Sequence, residues 1–174
     1  MQNRKIVIYE ELSDDLLLKE IEYCDSENLR RWKNENREAF FYKETITAEM
    51  QKIWMDRYFK DSDNFMFIVR YKGTSIGVMG FKIVSEGAEI YNVILGKKEF
   101  GGQGIMGRAI RLMNGFILGM DINYIFLRVL SSNDKAIEWY KKNGFVDKGG
   151  KENYRLMVLD LNKFAQPKLH LEEY

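Results

Sequence analysis

The stretch Gly101-Gly102-Gln103-Gly104-Ile105-Met106-Gly107 joins an apolar run, Ile90 to Leu95, to a helix-like one. Glycines at such a junction let backbone N–H groups turn outward and approach an anion closely. A helix start adds unsatisfied donors and partial positive charge. The chemistry this permits is the holding of a phosphate or pyrophosphate by the main chain alone. No Gly-Lys-Ser or Gly-Lys-Thr is present, so the segment is not a P-loop. Gly102, Gly104 and Gly107 match G-x-G-x-x-G literally. The preceding element, however, belongs to strands joined by tight turns rather than to a βαβ unit, which argues against a dinucleotide fold. A tight turn with no ligand is the other reading of the same glycines.

Other chemistries are scarce. Cys24 is the single cysteine and His170 the single histidine, the latter in the charged stretch Leu169 to Tyr174. An internal disulfide and a thiolate metal cluster are excluded, and a serine triad or histidine metal site is improbable. No metal is expected. The net charge of +1 provides no global field for nucleic acid or a membrane surface. The first fifteen residues carry only a short apolar run broken by acids, unlike a signal peptide, and no apolar stretch approaches spanning length. A cytoplasmic protein is expected. Aromatic residues make up 14% of the chain, enough to fill a core or line a cleft.

The elements that must position the glycine segment are legible as pattern. Ile6 to Tyr9 reads as a short strand, and Leu16 to Tyr23 as a second, with a helix as the alternative. Asp25 and Ser26 cap a helix over Glu27 to Asn34. Thr45-Ile46-Thr47 leads into another, Thr-capped, over Ala48 to Tyr58, where Met50, Ile53 and Trp54, with Phe59 beyond, make the expected buried stripe. A meander comes next: Phe65 to Tyr71, Thr74 to Ser85 and Ala88 to Leu95, connected at Lys72-Gly73 and Glu86-Gly87. Gly104 to Leu118 is a helix with Ala109, Ile110, Met113 and Ile117 on one side. Tyr124 to Leu130 is a buried strand. Asn133 to Asn143 is a helix stopped by Gly144, and Phe145-Val146 and Tyr154 to Leu161 are closing strands. One domain over residues 1–162 is expected, with 163–174 as a loosely held tail.

The glycine segment, taken together with Asn133-Asp134-Lys135-Ala136-Ile137-Glu138-Trp139-Tyr140-Lys141-Lys142-Asn143-Gly144-Phe145, resembles the GNAT N-acetyltransferase superfamily. Its cofactor motif is a strand followed by Arg/Gln-x-x-Gly-x-Gly/Ala at a helix start. Its later signature, Asn-x-x-Ala-x-x-x-Tyr-x-x-x-Gly-Phe, is met by Asn133, Ala136, Tyr140, Gly144 and Phe145. Trp32-Lys33-Asn34 before a Thr-capped helix resembles the branch with ribosomal-protein N-terminal and amino-sugar acetyltransferases. Two positions depart from the pattern. Gly101 stands where Arg or Gln is usual, which removes a side chain that helps hold the loop. Met106 stands where Gly or Ala is usual, which puts bulk near the pyrophosphate turn unless Gly107 supplies slack.

The resemblance implies an α+β fold: a central twisted, mostly antiparallel sheet of six to seven strands flanked by about four helices. It implies an acetyl-CoA-dependent N-acetyltransferase acting on a primary amine of a small molecule, such as a nucleotide-linked amino sugar, or on a peptide N-terminus. A noncatalytic CoA-binding module of the same fold is the alternative, and either could be monomer or homodimer. It further implies that Gly102, Gln103, Gly104, Ile105, Met106 and Gly107 hold the pyrophosphate. Backbone groups of Ile94 and Leu95 would pair with the pantetheine arm, with Asn133 hydrogen-bonding the same arm. Glu89 becomes the general base, with Glu20 and Glu22 as alternatives, and Tyr140 the general acid toward the departing sulfur. The acceptor side would be walled by Arg30, Arg31, Lys33, Arg37 and Lys43 with Trp32, Phe40, Phe41 and Tyr42. A solvated helix face over core aromatics is the other reading of that wall.

Overall fold

The computed structural model describes residues 5–173; the first four residues and the end of the expected tail, Tyr174, lie outside it. Strands β1 (Ile6–Glu10) and β2 (Ser13–Glu20) form a hairpin, followed by helices α1 (Ser26–Glu35) and α2 (Ala48–Tyr58). The meander is β3 (Asn64–Tyr71), β4 (Thr74–Val84) and β5 (Gly87–Leu95). Then come α3 (Ile105–Gly119), β6 (Ile125–Leu130), α4 (Asp134–Lys142), β7 (Phe145–Lys151), β8 (Tyr154–Leu159) and β9 (Leu169–Glu173). Among the described residues nine strands join one sheet in the order β7-β8-β6-β5-β4-β3-β2-β1-β9, where only β5 and β6 run parallel. The expected α+β class and mostly antiparallel sheet are observed, with nine strands in place of six or seven.

Alternation along the central strands divides the core between two faces. On β3, Phe65, Phe67 and Val69 join the cluster built on α3, with Ile105, Ala109, Ile110, Met113 and Ile117. Met66 and Ile68 point the other way, to Leu29, Trp32, Met55 and Tyr58 of α1 and α2. A strand buried on both faces is what a continuous apolar run such as Phe65 to Val69 specifies.

Two sequence expectations are corrected here. Met50 and Ile53 of α2 are exposed, at 39% and 43%, while Gln51, Met55 and Tyr58 are buried. The helix phase is set by Tyr58, whose hydroxyl donates to Glu20 Oε1 at 3.1 Å and accepts from Met66 N–H at 2.9 Å. Two buried hydrogen bonds outweigh a pair of aliphatic side chains that hydrophobicity alone would turn inward. Residues 169–173 are not loosely held: they pair with β1 over Ile6↔Glu173 to Glu10↔Leu169. Gln166 Nε2 also donates to Gly115 O at 3.1 Å, and a side chain at Gly115 would meet Pro167.

Gly96 shows how α1 is seated. A Cβ there would lie inside the indole of Trp32, which is only 1% exposed. Gly96→Ala is expected to destabilise the fold by about 2–3 kcal/mol, the upper range for overpacking, because the clash is with a rigid ring. Urea denaturation checks this; an unchanged midpoint would show that α1 can lift off the sheet freely.

Candidate active site

The site begins at a defect in β5. Its register with β4 passes from Gly80↔Tyr91 to Val78↔Ile94, so Asn92 and Val93 lie opposite Met79 alone. Asn92 has φ +51°, a left-handed conformation that asparagine tolerates better than most residues. A bulge bends its strand and re-aims the residues beyond it. On the other side, the parallel pairing of β5 with β6 covers only Ala88↔Ile125 to Ile90↔Leu127. Beyond Ile90 the two strands part, and a cleft of about 560 Å³ opens between them.

Strand alternation identifies which peptide groups face the gap. Gly96 N–H donates to Ile76 O of β4 at 2.8 Å. Groups two residues apart point the same way along a strand, so Ile94 faces β4, and Val93 and Leu95 present their N–H and C=O to the open side. Lys98 Nζ reaches Leu95 O at 3.1 Å from that side. Leu95 therefore turns its peptide groups to the gap, where Lys98 already donates to its carbonyl. For Ile94, the side chain is buried and the peptide is turned to β4; Val93, not singled out from sequence, has its peptide on the open side.

The glycine segment makes a sharp approach to α3. Gly102 and Gly104 have φ +72° and +73°, and a Cβ on either would meet nothing within 4 Å. Both are glycine for backbone conformation, with the loop's outer surface left clear. No side chain caps α3, so its first-turn N–H groups point outward with the dipole behind them. Ile105 and Met106 are 2% and 9% exposed and pack into the α3-side core. The bulk of Met106 is thereby turned away from the loop. Gly107 supplies no slack to the turn: its Cα faces Asn143, with Oδ1 2.7 Å from where a Cβ would stand. The missing side chain at Gly101 has a local substitute, since Gln103 Nε2 donates to Glu99 O at 3.0 Å and ties the loop from within. Arg108, the nearest cation on α3, is engaged elsewhere, with Glu10 Oε2 and Asp15 Oδ1 each at 2.8 Å. Those bonds hold the Asp15 carboxyl down to about 2.

Glu89, Asn133 and Tyr140 all line the cleft, brought from β5, the start of α4 and its last turn. Ile94, Leu95 and the Gly102–Gly107 loop are not among its lining residues. Glu89 Oε1 accepts from Arg128 Nη2 at 2.7 Å and Nε at 2.8 Å. Asn133 caps α4 by accepting from Ala136 N–H at 3.2 Å, which leaves its amide NH₂ for another partner. Tyr140 packs edge-on to Trp139 and Phe145, and burial holds its phenol well above the usual range. Among the described residues nothing hydrogen-bonds its hydroxyl. Glu20, the first alternative base, is 4% exposed and bonded to Tyr58, while Glu22 pairs with Lys19; neither lines the cleft.

The expected basic wall shrinks to one member. Arg30 pairs with Glu27, Arg31 lies near Glu35, and Arg37 and Lys43 lie near Glu38. Trp32 is core. Lys33 does line the cleft, beside Phe40, Phe41 and Tyr42. Arg128 and Tyr154 complete the opposite side and were not singled out from sequence. A charged residue inside the otherwise apolar run Ile125 to Leu130 was the available signal for Arg128. For the bulge it was an asparagine in mid-strand.

A model of the Acetyltransferase (GNAT) domain matches residues 15–146, well over half of the chain. The chain belongs to the GNAT acetyltransferase family. No curated protein matches it by sequence. Solved structures share the fold. Spermidine N-acetyltransferase from Vibrio cholerae, crystallised with CoA and spermine, is 20% identical with a TM-score of 0.73, over 87% of this chain and 99% of that one. FdhC, a nucleotide-linked sugar GNAT in its apo form, is 14% identical with a TM-score of 0.73, over 87% and 89%. A domain from Methanocaldococcus jannaschii is 20% identical with a TM-score of 0.71, over 91% and 100%. Among the described residues of this GNAT chain no helix is long and apolar enough to cross a membrane, and no group of His, Cys, Asp and Glu could hold a metal ion.

Proposed function

We propose that this GNAT chain transfers the acetyl group of acetyl-CoA to a primary amine, as a cytoplasmic monomer or homodimer. The acceptor is a small molecule, a nucleotide-linked amino sugar among the candidates, or a peptide N-terminus. The observation that carries this reading is the meeting of Glu89 and Tyr140 in one cleft, against the free edge of β5. The residues fit the donor. The uncapped start of α3, with Gly102 and Gly104 clear on their outer side, suits a pyrophosphate. The open peptide groups of Val93 and Leu95 suit an extended amide-bearing arm laid down like an added strand, and the Asn133 amide suits the same arm.

An alkyl amine with a pKa of about 10.4 is only about one part in a thousand neutral near pH 7.4. Glu89 takes the amine proton, directly or through water, by the oxygen that Arg128 leaves free. The nitrogen attacks the acetyl carbon, the C–N bond forms, the nitrogen sheds its second proton to solvent and the C–S bond breaks. A backbone N–H of β5 stabilises charge on the carbonyl oxygen. Tyr140 gives its proton to the leaving sulfur and regains one from solvent. Because burial raises the phenol, it is protonated throughout the neutral range. The same shift makes it a weaker acid, so the proton leaves only as charge gathers on sulfur.

Polyamine acetylation, named for the Vibrio cholerae neighbour, is a poorer match. Three charged residues line the cleft, Lys33, Arg128 and Glu89, and two are cations. Thiol release from acetyl-CoA, followed with amino sugars, polyamines and peptide N-termini, tests the proposal. Turnover of at least one amine is expected. Tight CoA binding with no turnover of any would instead favour the noncatalytic module.

A further inference from the structure

We propose that Lys33 is the seat for an oxyanion, a carboxylate or a phosphate, carried by the amine acceptor; this rests on the acetyltransferase reading of the same cleft. The ammonium of Lys33 lies 3.3 Å from the centroid of the Phe40 ring and donates to Asn92 Oδ1 at the β5 bulge. It is held on both sides, yet among the described residues it has no carboxylate partner. The other two charged residues of the cleft satisfy each other, Arg128 with Glu89. Elsewhere along α1 the cations have acids beside them, as Arg30 has Glu27 and Arg31 has Glu35. Lys33 alone on that helix faces the cleft with its charge uncompensated.

An isolated ammonium taken from water is unfavourable unless it is paired. Burial pushes that of Lys33 down to about 8, so it still carries its proton at neutral pH. The aromatic ring and the asparagine oxygen orient this charge without cancelling it. An oxyanion brought by a ligand would cancel it, and would take one of the ammonium's free donors. Its position gives the arrangement a direction: Lys33 meets β5 at Asn92, while Glu89 stands three residues earlier on the same strand. A molecule with its oxyanion on Lys33 would extend its amine along the cleft toward Glu89. A polycation would meet an unpaired like charge.

Matched acceptors test this. Glucosamine and glucosamine 6-phosphate differ by a phosphate; glycinamide and glycine differ by a carboxylate; spermidine is the polycation. For wild type, the oxyanion-bearing member of at least one pair is expected to have a kcat/KM tenfold or more above its partner. The pair that shows it tells phosphate from carboxylate. Lys33→Met should erase that preference through KM, with the KM for acetyl-CoA unchanged, and Lys33→Arg should retain part of it. Preference for the neutral members or spermidine, or a preference surviving in Lys33→Met, would overturn the proposal. Should no amine be turned over, the acetyltransferase reading fails separately. The seat is then read by titrating inorganic phosphate into the CoA-saturated protein by calorimetry. At least tenfold weaker binding in Lys33→Met supports the seat, and equal or absent binding in both proteins rejects it.

Discussion

Tyr140→Phe is expected to lower kcat by about a hundredfold while leaving the acetyl-CoA dissociation constant within about twofold, the pattern of a lost proton donor. The substitution is unusually clean. The ring of Tyr140 packs against Trp139 and Phe145 at centroid distances of 5.2 and 5.6 Å, contacts that phenylalanine keeps. The hydroxyl has no protein partner among the described residues, so its removal leaves no donor or acceptor stranded. The melting temperature should therefore stay within about a degree, which separates loss of chemistry from loss of structure. Single-turnover thiol release, with CoA binding by calorimetry, measures both halves. An unchanged kcat would remove Tyr140 from the mechanism and leave it as packing for the last turn of α4.

Lys33→Met, by contrast, should change stability: a gain on the order of 2 kcal/mol at pH 7. An unperturbed lysine titrates near 10.5 and Lys33 in the folded protein near 8. Below about 8 both states hold the proton and the folded state bears the full desolvation penalty. Between about 8 and 10.5 the unfolded chain binds a proton that the folded chain has shed, so the stability of the wild type rises with pH. A shift of that size corresponds to about 3 kcal/mol by linkage, and part of the gain is offset because methionine leaves Asn92 Oδ1 without its donor. Methionine keeps the apolar stem and has no such window. The difference in unfolding free energy between variant and wild type should thus shrink as pH rises from 7.5 to 10. A constant difference across that range would show that Lys33 is well solvated. A mutation that strengthens the fold while weakening acceptor binding is the pattern of a residue retained for its ligand.

Much of the fold could be read from the sequence because its signals were local. The turn residues Lys72-Gly73 and Glu86-Gly87, the Thr47 cap and the stop at Gly144 each act within a few positions. The structure has each where expected, with Gly73 at φ +79° and Gly144 at +90°. The misreadings came from partners distant in sequence. The phase of α2 depends on Glu20 and Met66, and β9 exists because β1, more than 150 residues earlier, needs a neighbour. At the site, Glu89, Asn133 and Tyr140 were legible as residue types in a family pattern. The open donors of Val93, the pairing of Arg128 with Glu89 and the isolation of Lys33 were not. Each depends on where two strands part, and no spacing along the chain encodes that distance.

The pairing of β9 with β1 also bears on how the molecule avoids its own kind. Without that last strand the sheet would end on β1, whose Ile6, Val7 and Ile8 are nearly fully buried. An apolar edge with unmatched N–H and C=O groups is a template for another chain's strand. The edge presented instead is five residues long and carries adjacent glutamates, Glu172 and Glu173, beside His170. Charged side chains on an exposed edge disfavour the addition of another strand, so the segment that completes the sheet also discourages its continuation into an aggregate.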